Sequence, residues 1–149
     1  MSRLYVAYGS NLNKEQMARR CPTAKTYEIG FLNNWELIYR GSKTGAYATI
    51  RRKKGSKVPV AVWEIEDLDE RNLDIYEGYP RFYSKRNVMV SLPTGFKKAM
   101  VYIMDPTRLP GIPSRLYIDT IAKGYKDFGL DCEYLKNSLY LNKKETERL

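Results

Sequence analysis

The sequence predicts an α+β fold, a small mixed and strongly curved sheet flanked by helices. Three observations predict it. Segments that read as strands dominate the first two-thirds of the chain, segments that read as helices dominate the last third, and no internal repeat or linker divides the two. The 149 residues match one ordinary domain. Its expected extent is residues 1–141, followed by a polar, frayed tail over 142–149.

Residues 3–8 alternate polar and apolar as a strand does, and the alternation breaks at Gly9-Ser10-Asn11. Asn13 reads as an N-cap with Gln16 as its capping-box partner. The short helix that follows ends before Pro22, because a residue preceding proline avoids the helical region. Residues 27–39 read as one long strand, or two with a bend at Asn33-Asn34. Strands at 45–52 and 58–65 come next, with Gly55-Ser56 between them, so that 51–57 reads as a hairpin tip. Asp67 is expected to cap a helix with Glu70 as its partner, and Gly78 and Pro80 stop that helix. Residues 82–90 and 98–104 form a hairpin about a turn at 92–95, and 106–113 form a rigid loop. Ser114 caps a helix whose apolar positions Leu116, Ile118, Ile121, Ala122 and Tyr125 run to Gly129. Asp131 caps a last helix through Tyr140.

Composition narrows the chemistry. The chain has no histidine. That excludes Ser–His and Cys–His pairs and histidine metal ligation, and leaves proton transfer near neutral pH to a shifted carboxylate, tyrosine or lysine. Two cysteines, Cys21 and Cys132, are too few for a disulfide scaffold or a four-thiolate zinc site. No metal site and no cofactor is implied. Free thiols and the absence of a signal-like apolar stretch at the N-terminus point to the cytoplasm, and no apolar run approaches the ~18 residues of a membrane span. Lys and Arg outnumber Asp and Glu 26 to 17, a net +9. Arg40, Lys43, Arg51, Arg52, Lys53, Lys54 and Lys57 fall within 40–57 without one acid. That stretch reads either as an anion-attracting patch, for nucleic acid or an acidic metabolite, or as a solvated hairpin tip.

Three places can carry chemistry. At Tyr8-Gly9-Ser10-Asn11-Leu12 a strand breaks into glycine and then a helix, which leaves backbone N–H groups unpaired and able to cradle a carboxylate or phosphate. The same pattern serves equally as a plain turn. Glu77 falls at a helix end among aromatic and apolar neighbours, where partial desolvation and the negative end of the helix both raise a carboxyl pKa and suit it to general acid–base work. Its other reading is an exposed last-turn glutamate. Tyr83, Tyr102 and Tyr117 can each donate a phenolic hydrogen bond into a cleft, or simply fill the core.

Taken together, these segments resemble the γ-glutamylcyclotransferase family. The resemblance runs through Tyr5-Val6-Ala7-Tyr8-Gly9-Ser10-Asn11-Leu12, Cys21-Pro22-Thr23-Ala24, Gly30-Phe31-Leu32, Ala46-Tyr47-Ala48-Thr49-Ile50 and Val60-Ala61-Val62-Trp63-Glu64-Ile65. It continues through Glu77-Gly78 with Tyr83, Val101-Tyr102-Ile103-Met104 and Pro113-Ser114-Arg115-Leu116-Tyr117 into the C-terminal helices. It implies a β-barrel-like sheet with a ligand cavity at the glycine loop. It also implies cleavage of a γ-glutamyl amide by internal cyclisation to 5-oxoproline and a free amine or amino acid. The matching residues are Glu77 as acid/base, residues 9–12 on the substrate carboxylate, Tyr83, Tyr102 and Tyr117 orienting the glutamyl group, and Tyr8 holding the loop. Tyr47 stands where some relatives carry a small residue, which would narrow the pocket. The implied partner is a small γ-glutamyl molecule. Behind it stand an idle module that only binds an anionic metabolite and, last, nucleic-acid binding through 40–57. The apolar faces of the C-terminal helices leave room for a homodimer.

Overall fold

The computed structural model describes residues 2–42 and 45–148. Lys43, one of the seven cations of the basic stretch, lies outside the described residues. Six strands occur in the order β1 (Arg3–Ala7), β2 (Lys25–Ser42), β3 (Gly45–Ile65), β4 (Tyr83–Leu92), β5 (Gly95–Met104) and β6 (Leu109–Pro110). Spatially they run β3-β1-β5-β4-β2-β6, and β2 pairs back onto β3, so five strands close into a barrel with β6 outside on β2. The β1–β5 pairing is parallel and the others are antiparallel, which makes the sheet mixed as expected. Closure removes the unpaired edges an open sheet would carry.

Four helices flank the barrel: α1 (Lys14–Arg20), α2 (Asp67–Glu77), α3 (Arg115–Phe128) and α4 (Cys132–Glu147). Their ends follow local chemistry. Asn13 accepts from the Gln16 N–H, Ser114 from the Tyr117 N–H and Asp131 from the Glu133 N–H, each relieving a helix N-terminus of an orphan donor. The Gln16 side chain turns instead to Arg20, so the expected reciprocal box at α1 is only half built. The cap of α2 is Glu66 rather than Asp67, because Asp69, not Glu70, reaches back to the Glu66 N–H at 3.0 Å. Gly78, in the left-handed region at φ 64°, ends α2. Asp74 O accepts from Tyr79 N at 2.9 Å across that turn, and the Tyr79–Pro80 peptide is cis.

Five further expectations need correction. Residues 51–57 are not a hairpin tip, since 45–52 and 58–65 belong to one strand that pairs with β2 on both sides of 53–56. Trp35 pairs with Arg52 and Asn33 with Lys57, so 53–56 bulge out opposite Asn34, whose side chain accepts from the Gly55 N–H at 3.1 Å. The described cations of 40–57 do not all lie in one exposed patch either. Arg40 is buried and donates to Glu145 at 3.0 Å, Arg51 pairs with Glu36, and Arg52 and Lys57 lie over the rings of Trp35 and Phe31. Residues 142–147 are no frayed tail: α4 runs to Glu147, with Asn142 buried and donating to Gly111 O at 2.8 Å, and Glu145 compensating the buried Arg40. Leu116 is 79% exposed, so α3 packs through Ile121, Gly124 and Tyr125. The loop 106–113 holds the short strand β6.

One close approach matters for the site. A Cβ on Gly124 would stand 2.5 Å from Leu12 Cβ and 2.7 Å from Asn13 N. Glycine there lets α3 lie flat on the turn that follows β1, and so fixes that turn from behind.

Candidate active site

The turn after β1 is a single 3-10 turn, Ser10–Leu12. Leu12 N donates to Gly9 O and Asn13 N to Ser10 O, both at 3.0 Å, while the N–H groups of Ser10 and Asn11 have no acceptor among the described residues. The turn forms one wall of a cavity of about 420 Å³. Glu77 and Tyr76 come to it from the end of α2, Phe82 and Tyr83 from the start of β4, Tyr102 from β5, Tyr117 from the first turn of α3, and Tyr47 and Ala48 from β3. Tyr5 and Tyr8 line it from β1 and its end. Of the nine residues singled out from the sequence, eight meet here. Leu12 does not: it is 0% exposed, and its N–H is spent inside the turn. Residues 9–11 alone offer themselves to a ligand.

Glu77 is the carboxylate of this cavity. Burial among aromatic walls pushes its pKa up to about 7, and the charge of Arg20 moderates the rise. At neutral pH it therefore exists in both protonation states, the condition for taking and returning a proton.

The tyrosines differ from the expectation that each donates into the cleft. Tyr8 donates its proton to Tyr102 O (2.7 Å), Tyr83 to Ala48 O (2.7 Å) and Tyr102 to Asp74 Oδ1 (2.6 Å). These three oxygens present only lone pairs to a ligand. Tyr117 is the reverse case. It accepts from the Ala48 N–H at 3.0 Å, so its own proton is free for the cavity. One residue of β3, Ala48, thus sets Tyr83 as an acceptor through its carbonyl and Tyr117 as a donor through its N–H. The Tyr117 hydroxyl lies beside the glycine turn, 3.7 Å from where a Gly9 Cβ would stand. A donor therefore joins the free amides on one side of the cavity.

Sequence reasoning gave no role to Tyr5, Tyr76, Phe82 or Arg20. Arg20 stacks on the Tyr76 ring at 3.6 Å and donates to Asn11 Oδ1 at 2.7 Å. Tyr76 exchanges a hydrogen bond of 3.0 Å with Ser10. Tyr47, 43% exposed, stands edge-on to Tyr117 and Phe82 and narrows the cavity from one side. Behind Tyr102, Asp74 is held by Lys85, which also binds Glu70.

On a closed mixed barrel, a glycine turn, a glutamate of raised pKa and a wall of tyrosines can together hold a small molecule and exchange a proton with it. Comparison with known proteins then fixes the family. Residues 5–119 match the family described as gamma-glutamyl cyclotransferase, AIG2-like, and the chain belongs to that family. It is 33% identical over 142 residues to the gamma-glutamylcyclotransferase of Bos taurus, covering 89% of this chain and 75% of the bovine one. It is 31% identical over 139 residues to the Homo sapiens protein of that name, covering 88% and 74%. A solved gamma-glutamyl cyclotransferase structure superimposes with a TM-score of 0.81 at 30% identity, over 93% of this chain and 86% of the other. The barrel-like fold drawn from the resemblance is therefore the one observed. Among the described residues no helix is long and apolar enough to cross a membrane.

Proposed function

We propose that this chain cyclises a γ-glutamyl amide to 5-oxoproline and a free amine or amino acid, with Glu77 moving the proton. The observation that carries the residue assignment is a carboxyl buried in a cavity walled by tyrosines, its pKa raised by that burial to about 7, across from a turn with free amides. The homologues of that name support the reaction class.

The substrate supplies its own nucleophile, so a chain without histidine needs none. Glu77 takes a proton from the α-ammonium. The amine attacks the γ-carbonyl and forms the ring C–N bond. The C–N bond to the leaving amine breaks as Glu77 returns the proton to that nitrogen, and the ring nitrogen then gives up its second proton through Glu77 to the released amine, which departs as an ammonium. The Ser10 and Asn11 amides with the Tyr117 hydroxyl bind the α-carboxylate, and the lone pairs of Tyr8 and Tyr83 receive the ammonium. Holding amine and carbonyl together converts binding into orientation, worth several kcal/mol of barrier. The free thiols Cys21 and Cys132 suit a reducing compartment such as the cytoplasm.

The test is a panel of γ-glutamyl amides (γ-glutamyl dipeptides, γ-glutamyl-ε-lysine and simple γ-glutamylamines) with 5-oxoproline followed by mass spectrometry. Release from at least one substrate is expected, and the panel names the leaving group. Folded protein that releases none would overturn the reading.

A further inference from the structure

We propose that Tyr5 donates the hydrogen bond that stabilises the γ-carbonyl oxygen as it becomes an oxyanion, and that Arg20, acting through Asn11, is the positioning residue that keeps Tyr5 a donor. This rests on the cyclisation reading.

Seven tyrosines line the cavity; Tyr47 and Tyr76 are each 43% exposed, and Tyr76 and Ser10 already share a hydrogen bond, which leaves five phenols to serve an oxyanion inside it. Tyr8, Tyr83 and Tyr102 have given their protons to Tyr102 O, Ala48 O and Asp74. Two hydroxyls keep theirs, and each does so because it receives a hydrogen bond. Tyr117 receives from the Ala48 N–H and stands by Gly9, at the carboxylate end. Tyr5 receives from Asn11 Nδ2 at 2.8 Å. The Asn11 amide cannot turn over, because Arg20 donates to its Oδ1 at 2.7 Å. Arg20 is itself clamped between Gln16 and the Tyr76 ring. The relay Arg20–Asn11–Tyr5 therefore points one proton into the cavity, and a cation at its far end strengthens each bond along it.

Tyr5 lines the same cavity as Glu77, from β1, and burial raises its pKa well above the usual phenol value. Glu77 must reach the α-amine, and in the transition state that amine is bonded to the γ-carbon. Tyr117, beside Gly9, is engaged by the carboxylate, so Tyr5 is the donor left for the developing oxyanion. Tyr5 keeps its proton throughout and only strengthens its hydrogen bond as charge develops.

The experiment compares plateau kcat and KM, above the Glu77 pKa, for wild type, Tyr5→Phe, Tyr117→Phe, Arg20→Gln and Tyr5→Phe/Arg20→Gln. Tyr5→Phe is expected to lower kcat about 10²–10³-fold with little change in KM, the signature of a donor used in the transition state. Tyr117→Phe acts chiefly on KM. Arg20→Gln is expected to lose about tenfold in kcat, the low end of what an outer hydrogen-bond partner is worth, and nothing further once Tyr5 is already Phe. It also moves the acidic limb of the pH profile upward, because the charge that lowers the Glu77 pKa is gone. The proposal is overturned if Tyr5→Phe raises KM and spares kcat, or if Arg20→Gln costs as much in the Tyr5→Phe background as in the wild type. Should Tyr5→Phe fail to fold, Arg20→Gln alone decides by the same plateau kcat, and an unchanged value overturns the relay. Absence of 5-oxoproline from the wild type would instead overturn the cyclisation reading itself.

Discussion

Glu70 and Glu77 lie on the same helix, seven residues apart, hence two turns on the same face and about 10 Å along the axis. Burial pushes both pKa values up. At Glu70, hydrogen bonds from Lys85 and Arg3 outweigh burial and hold the carboxyl below the usual range. At Glu77 only the charge of Arg20 opposes burial, and the pKa rises to about 7. One helix thus carries a carboxylate held charged at neutral pH and, at its other end, the one that carries the proton in the proposed function. The difference lies in what the barrel brings to each: cations from β1 and β4 at one end, phenols at the other.

The largest effect expected is on activity. Glu77→Gln should lower kcat about 10²–10⁴-fold, the usual weight of a positioned acid–base group, read as 5-oxoproline release at pH 8. The wild-type rate should rise with pH through about 7 as Glu77 ionises. A rate already flat from pH 5 upward would mean that Glu77 is not held as described.

Gly124→Ala weakens the contrast from outside. The new Cβ meets Leu12 and Asn13, so the glycine turn must shift. Overpacking of this kind costs about 1–3 kcal/mol, and displacement of the turn is expected to cost up to about 10²-fold in kcat/KM. Water admitted beside Glu77 should move the acidic limb of the pH profile downward. Thermal melts and a pH–rate profile check both.

Stability gives the third comparison, with opposite signs at the two glutamates. A raised carboxyl pKa means that the folded state holds its proton more tightly than the unfolded chain. Stability is therefore greatest at low pH and falls between the ordinary value near 4.5 and about 7. Glu77→Gln removes that slope and should stabilise the protein above pH 7 by at most about 3 kcal/mol. Denaturant titrations at pH 4.5 and pH 8 measure it, and an equal effect at both would contradict the burial of the ionised group.

Much of the architecture was legible because it rests on local chemistry. The alternation of β1 broken by Gly9, the caps Asn13, Ser114 and Asp131, and the Gly78 stop all sit within a few residues of what they control. What was not legible depends on pairs far apart in the chain. Arg40 and Glu145, 105 residues apart, turn an apparently frayed tail into helix. The bulge at 53–56 could be told from a turn only by its register against Asn34. In the site, the residue types were legible and their polarity was not. Whether Tyr83 gives or receives a proton is decided by Ala48 O on another strand, and Tyr5 looks like any strand tyrosine until Asn11 and Arg20 are seen beside it.

The smallest effect tests the other glutamate. Glu70→Gln removes the partner that Lys85 and Arg3 share, but Lys85 keeps Asp74 at 2.8 Å, and Asp74 keeps the Tyr102 hydroxyl at 2.6 Å. The cavity wall should therefore stand, and kcat and KM should stay within about twofold of wild type, the scale of exposed substitutions distant from a site. Stability should drop by no more than about 1 kcal/mol at neutral pH, as for other partly exposed ion pairs. Because the folded pKa of Glu70 is depressed, its contribution is present above the ordinary carboxylate range and disappears as pH falls through the depressed value. The Glu70→Gln deficit should therefore vanish in acid, where the Glu77→Gln gain vanishes too. Two substitutions on one helix face, opposite in sign at pH 8 and both silent at low pH, would isolate environment as the cause. A Glu70→Gln variant that loses activity would place the ion cluster inside the catalytic machinery and remove the distinction between the two ends of α2.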